Sequence, residues 1–421
     1  MRPWTVKWVK QGLWVVLGAQ KIQHPLLSQL ISFCSLCVSI EFYATFLPLL
    51  FWANYSYLAR QLALLMAVCL YIGNALKDVV CAPRPPSPPV VRIRNNDNDK
   101  TNAQEYGLPS THTINTLALL GYIVHYFVQE GQIEITSLWG AVGGVLLLGL
   151  FIMYGRLYQG MHSPVDMYVG AIIAAVALVL WCQVDRFVDS WVTGGTNVIS
   201  FQIVLAVLFN CLYPVPETPT PSYDYHVSFN GVALGVIVGV HRTFAQFHNG
   251  LAAPLPIFTR PGAIAIAKRL LIGLPAILFA KEGSKAFLKA TLPAVTRALG
   301  IPIRGCSALP VDKESPTRVA EFPSLPASPS NTSSLHKRQP WGQEADRGLG
   351  WPQTNGANSE RKQTSEASWD STAKLGQEKD SKHWVEDEGF NLDTTIRLIS
   401  YASVAWTVTE GMPYVFQFLS L

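Results

Sequence analysis

Charge is what this chain has least of: 14% of its 421 residues are Asp, Glu, Lys or Arg, against roughly 25% in an average soluble domain. That shortage excludes an ordinary water-soluble globule. The formal net charge is only +4 and no basic run stands out, so the phosphate-tracking surface of a nucleic-acid binder is missing. No set of His, Cys and carboxylate residues has the spacing of a zinc or magnesium site, and neither a metal nor a cofactor is expected. The cysteines, Cys34, Cys37, Cys69, Cys81, Cys182, Cys211 and Cys306, are odd in number and mostly lie in or beside apolar runs. No disulfide framework follows from them. The first 30 residues have no long apolar core with a small-residue cleavage site, so they do not read as a cleaved signal peptide.

Apolar residues are abundant, at 49%, with a mean hydropathy of +0.23. They gather into runs near the length a helix needs to cross a hydrocarbon core of roughly 30 Å. Spans are predicted near 31–52, 58–76, 113–129, 137–154, 165–183, 198–213, 229–247, 270–290 and 396–419. The 198–213 run is short. The 270–290 run carries Lys281, Glu282, Lys285 and Lys289, as a segment ending early or lying at the interface would. The expected fold is therefore all-α, a polytopic transmembrane helical bundle of about eight or nine spans. Residues 1–30 set Trp4, Trp8 and Trp14 among Arg2, Lys7, Lys10 and Lys21, a composition suited to an amphipathic segment at the bilayer surface. Residues 31–304 form the membrane core, and 305–390 turn to Ser, Pro, Gln, Glu and Lys, the composition of a disordered loop. Residues 391–421 return to the membrane.

Three polar motifs interrupt the apolar pattern. Lys77 and Arg84 offer a point charge and a bidentate fork, both matched to phosphate oxygens, with Pro83, Pro85 and Pro86 stiffening the chain around the arginine. Taken alone, Lys77 reads better as a cation flanking a helix end. Pro109-Ser110-Thr111-His112 precedes an apolar run; Ser110 or Thr111 can cap that helix and leave amides facing an anion, with His112 in its first turn. By itself this is a cap plus an interfacial histidine. Arg156, His162 and Asp166 form the third motif, and on a helix starting near Ser163-Pro164 the last two share a face. A carboxylate there can hold the imidazole in one tautomer; a chance His–Asp pair fits as well. Conjunction decides between these readings. With spans crossing alternately, all three motifs fall on one side of the membrane, and together they hold the parts of a phosphoryl-binding site.

Glu41-Phe-Tyr-Ala-Thr-Phe-Leu-Pro48, Tyr106-Gly-Leu-Pro-Ser-Thr-His112 and Tyr154-Gly-Arg-Leu-Tyr-Gln-Gly-Met-His-Ser163 give the chain a family likeness. It resembles the lipid phosphatase superfamily related to type 2 phosphatidic acid phosphatase and the vanadium haloperoxidases. Within that superfamily it is most similar to the sphingoid-base 1-phosphate phosphatases of the endoplasmic reticulum. The superfamily usually has Gly where Thr111 stands and Ser where Gly155 stands; Thr fits the sphingoid branch. The resemblance implies a metal-independent lipid phosphate monoesterase acting on membrane lipids. His162 would be the nucleophile, His112 the general acid and base, and Asp166 the group that orients His162. Lys77, Arg84, Ser110, Thr111 and Arg156 would hold the phosphate. Vanadate-peroxide chemistry, transfer to an alcohol, broader lipid phosphate specificity and a non-enzymatic lipid-binding role are the competing expectations. The family likeness places the motifs on the lumenal side of the endoplasmic reticulum membrane. The lysines of 1–30, on the same side by parity, favour the cytosol; the expectation adopted is the lumen.

Overall fold

A backbone in hydrocarbon has no water to bond with, so an apolar run must close its hydrogen bonds on itself. In the computed structural model the described apolar runs are all helical, and among the described residues there is no strand. The structure describes residues 3–22, 24–36, 40–93, 105–131, 134–214, 220–256, 259–301 and 392–421. The polar segment expected at 305–390 lies outside them. The helices are α1 (Pro3–Gln20), α2 (Pro25–Leu36), α3 (Ile40–Trp52), α4 (Ser56–Val80), α5 (Thr111–Gln129), α6 (Ile135–Tyr158), α7 (Pro164–Gly194), α8 (Val198–Cys211), α9 (Ser222–Thr243), α10 (Arg260–Ala298), α11 (Leu392–Trp406) and α12 (Met412–Phe418). Wide π turns at Phe244–His248 and Thr407–Gly411 extend α9 and join α11 to α12.

Five of these are long and apolar enough to cross a membrane: Ser56–Val80, Thr136–Tyr158, Pro164–Gly194, Ser222–His248 and Arg260–Ala298. The chain is a membrane helical bundle. Some expected spans differ in extent. The run 31–52 holds parts of two short helices, α2 of 12 residues and α3 of 13, each well under the roughly 20 residues of a crossing. The 270–290 run does not end early: α10 continues for 39 residues through Pro275 and Pro293. Helix α1 packs against α6 and α7, burying Val9 and Val16 and leaving Trp14 exposed, and Gln20 donates to the Tyr158 carbonyl at 3.1 Å.

Helix α4 is the central post, packed on α3, α5, α7 and α9 through Leu58, Leu62, Leu65 and Met66. Helix α9 carries Gly231, Gly235 and Gly239 four residues apart on one face. A Cβ at any of them would run into Leu398, Ala402 or Thr409 respectively, so α9 and the α11–α12 segment approach backbone to backbone, as small-residue faces allow in membranes. At the α4 N-terminus a polar knot is buried: Arg60 pairs with both carboxylate oxygens of Asp189, one at 2.9 Å, and its guanidinium lies 5.1 Å from the Tyr57 ring centre. The three motifs gather at the opposite end of α4.

Candidate active site

Helix ends build the site. Lys77 occupies the last turn of α4, which stops where Cys81 turns left-handed at φ 51°. The following loop carries Arg84, and the Gly107 amide returns to it by donating to the Ala82 carbonyl at 2.8 Å. Ser110 then caps α5, its Oγ accepting from the Thr113 amide at 3.4 Å, and Ser163-Pro164 opens α7 with proline at the first helical position. The Ser110 amide donates to the Asp166 carbonyl at 3.1 Å, so the two helix N-termini stand side by side. Their partial positive charge adds to that of the cations. Lys77, Arg84, Ser110, Thr111, Arg156, His162 and Asp166 are all buried, while His112 is partly exposed.

Around His162 the geometry is specific. Its Nδ1 lies 3.0 Å from the Gly107 carbonyl oxygen, which can only accept, so Nδ1 carries the proton and Nε2 keeps a lone pair. Nε2 lies 3.4 Å from Arg84 Nη1. Asp166 Oδ2 is farther from Nδ1, at 3.6 Å, because it accepts from the Ser163 amide at 2.7 Å. The carboxylate expected to fix the tautomer thus ties first to its own helix start, and a backbone carbonyl supplies the closer contact. Burial, then the charges of Arg84, Arg156 and Lys77, hold the His162 imidazole well below the ordinary histidine range. It is neutral at physiological pH, as a nucleophile must be.

The cations are gripped as well. Arg84 donates from Nε to the Glu105 carbonyl at 2.8 Å and from Nη1 to the Met161 carbonyl at 2.6 Å. Lys77 Nζ donates to Thr111 Oγ1 at 3.1 Å and pairs with the Glu105 carboxylate, which also lies 3.8 Å from Arg84 Nη2. Arg156 Nη1 donates to Gln159 Oε1 at 3.0 Å. His112 sits within electrostatic reach of Arg156, Lys77, Arg84 and His162. All eight candidate residues therefore meet in one place. Two residues join them that the motifs did not announce, Glu105 and Gly107. Gly155 points elsewhere: a Cβ there would sit 2.9 Å from Ile31 of α2, so the residue serves helix packing. Gly160 has φ +68° with the Val91 carbonyl pressed on it, a turn only glycine takes without strain.

Comparison with known proteins gives the chain a family. The PAP2 superfamily model matches residues 58–189, the interval containing all three motifs. The chain is 39% identical to a lipid phosphate phosphatase delta of Arabidopsis thaliana over 100% of its own length and 90% of the relative's. It is 29% identical to a dihydrosphingosine 1-phosphate phosphatase of Schizosaccharomyces pombe over 61% of the chain and 62% of the relative. A human sphingosine-1-phosphate phosphatase 2 is 31% identical over 51% of the chain and 52% of the relative. No solved structure matches the chain.

Proposed function

The chain belongs to the PAP2 superfamily, and from that premise we propose that it hydrolyses long-chain sphingoid base 1-phosphates, such as dihydrosphingosine 1-phosphate, to the free base and phosphate in sphingolipid metabolism. The observation that carries the reading is the unprotonated Nε2 of a neutral, buried His162, turned to Arg84 and set among Lys77, Arg84 and Arg156. Support for the sphingoid substrate comes from the relatives whose names state it and from Thr111 in the second motif.

In the mechanism proposed, His162 Nε2 attacks phosphorus and the P–O ester bond breaks. His112, which burial and the charges of Arg156, Lys77 and Arg84 hold neutral in the empty site, takes the proton of a substrate monoanion and passes it to the departing alkoxide. It then takes a proton from water, and the resulting hydroxide attacks phosphorus and breaks the P–N bond, releasing phosphate and the neutral imidazole. Asp166 and the Gly107 carbonyl steady the imidazolium formed in the first step. Charge spreads over the equatorial oxygens as the phosphoryl group moves, and Lys77, Arg84, Arg156 and the amides at the two helix starts, with Ser110 and Thr111, receive it.

Because fixed side-chain cations supply that charge, turnover measured on purified protein in detergent is expected to persist in EDTA and to be inhibited by vanadate. Collapse on chelation with recovery in magnesium would rule the mechanism out.

The setting proposed is the endoplasmic reticulum membrane with the site toward the lumen. Helix α10 leaves the Trp52 end of the bundle, since Arg269 donates to the Trp52 carbonyl, and in this topology a single crossing by α10 would carry the chain to the motif side ahead of the Asn331-Thr332-Ser333 sequon. A glycosylation reporter near Asn331 should be modified in microsomes and one at 131–136 should not. The reverse pattern puts catalysis in the cytosol, the side that the lysines of α1 favour.

A further inference from the structure

A carboxylate among phosphate ligands is at odds with an anionic substrate, and Glu105 is such a carboxylate. It is 7% exposed, pairs with Lys77 and stands 3.8 Å from Arg84 Nη2. The same guanidinium reaches His162 Nε2 through Nη1 at 3.4 Å. Glu105 is thus one guanidinium's width from the nitrogen that would meet phosphorus.

Burying Lys77 and Arg84 without a counter-charge is costly, which accounts for some anion in the empty site. It does not account for the state with substrate bound. Three buried cations, Lys77, Arg84 and Arg156, are set among three buried carboxylates, Glu105, Asp166 and, against Lys77, Asp78, and with His162 neutral these charges already cancel. A phosphate monoester near neutral pH brings close to two negative charges and leaves the pocket with a surplus of negative charge. A substrate that carries its own positive charge next to the phosphate reduces that surplus by one.

We propose that Glu105 is a specificity determinant that receives the ammonium group vicinal to the phosphate of a sphingoid base 1-phosphate, and so selects zwitterionic lipid phosphates over those without an amine. The inference rests on the phosphatase reading above and deepens it. When phosphate enters, its oxygens take over Lys77 and Arg84, and the carboxylate they release turns to the ammonium on the neighbouring carbon. The charged hydrogen bond so formed is strong in a water-poor site. A lipid phosphate with no amine leaves Glu105 facing the phosphate without a partner, which penalises it.

The test compares dihydrosphingosine 1-phosphate with its N-acetyl analogue, which keeps the chain, hydroxyl and phosphate and loses the positive charge. Both are presented to the full-length protein in the same mixed micelles. The wild type should favour the free amine in kcat/KM by roughly 10- to 100-fold, the range of one charged hydrogen bond. Glu105→Gln should shrink that preference to a few-fold, mostly through loss on the amine substrate. Equal hydrolysis of the two lipids by the wild type overturns the inference while leaving the phosphatase reading intact; hydrolysis of neither overturns both. An equal loss on both substrates in Glu105→Gln, with the preference unchanged, is the mark of a carboxylate that only holds Lys77, and also overturns it. A measurement without a variant covers the case of a misfolded mutant. Raising the pH until the substrate amine is neutral should erase the wild-type preference, and a preference that survives contradicts the proposal.

Discussion

His162→Ala is expected to abolish phosphate release, by roughly 10⁴-fold or more in kcat, the scale seen when a nucleophile is removed. The phosphoenzyme, trapped by acid quench with labelled substrate, should vanish with it, because the nucleophilic His162 Nε2 beside Arg84 is gone. His112→Ala differs in kind: the nucleophile remains, and both alkoxide departure and water attack slow. A folded His162→Ala protein that keeps a tenth of its activity would show that the roles have been misassigned. Tautomer sharpens the prediction. The proton on Nδ1 is held by a backbone carbonyl at 3.0 Å, which substitution of Asp166 leaves in place. Asp166→Asn should therefore cost much less than His162→Ala.

Arg60→Leu has the largest expected effect on stability. Its guanidinium pairs with both oxygens of Asp189 and lies against the rings of Tyr57 and Phe244, about 25 Å along α4 from Lys77 at 1.5 Å per residue. Removing it strands a mostly buried carboxylate, for a cost of about 3–5 kcal/mol. The double variant Arg60→Leu/Asp189→Leu should recover most of that, since the isolated charge and not the lost pair is the expensive state. Thermal unfolding in detergent measures both. Equal destabilisation of the single and double variants would remove the ion pair from the account and leave only packing.

The fold and the site were legible to different depths. Apolar runs fixed the helical class because hydrocarbon leaves a backbone no other option, and the candidate residues converge because their motifs sit at successive helix ends on one side. Glu105 escaped for a physical reason. It closes a polar stretch, 94–105, in which a carboxylate is unremarkable, and its partner Lys77 lies 28 residues away. Gly107 acts through a carbonyl, which every residue has, so no residue type could announce it. The docking of α1 was hidden because Val9 and Val16 make the same apolar stripe whether it faces lipid or protein. Arg60 was inside a predicted span, but a lone charge there names no partner until α7 brings Asp189 to it.

The contact between α9 and the final helices bears on how the chain is joined. Gly231, Gly235 and Gly239 cut a stepped trough that the backbone at 398–409 fills. The Trp52 indole donates to the Val408 carbonyl at 3.1 Å, and Arg269 to the terminal carbonyl of Leu421 at 2.9 Å. The last helices are thus held by shape and hydrogen bonds from α3, α9 and α10, independently of the covalent path that leads to them. A cut anywhere between 302 and 392 leaves two fragments with matching surfaces. In the vocabulary of protein engineering, these contacts make the bundle a candidate for a split protein whose smaller piece is a two-helix plug.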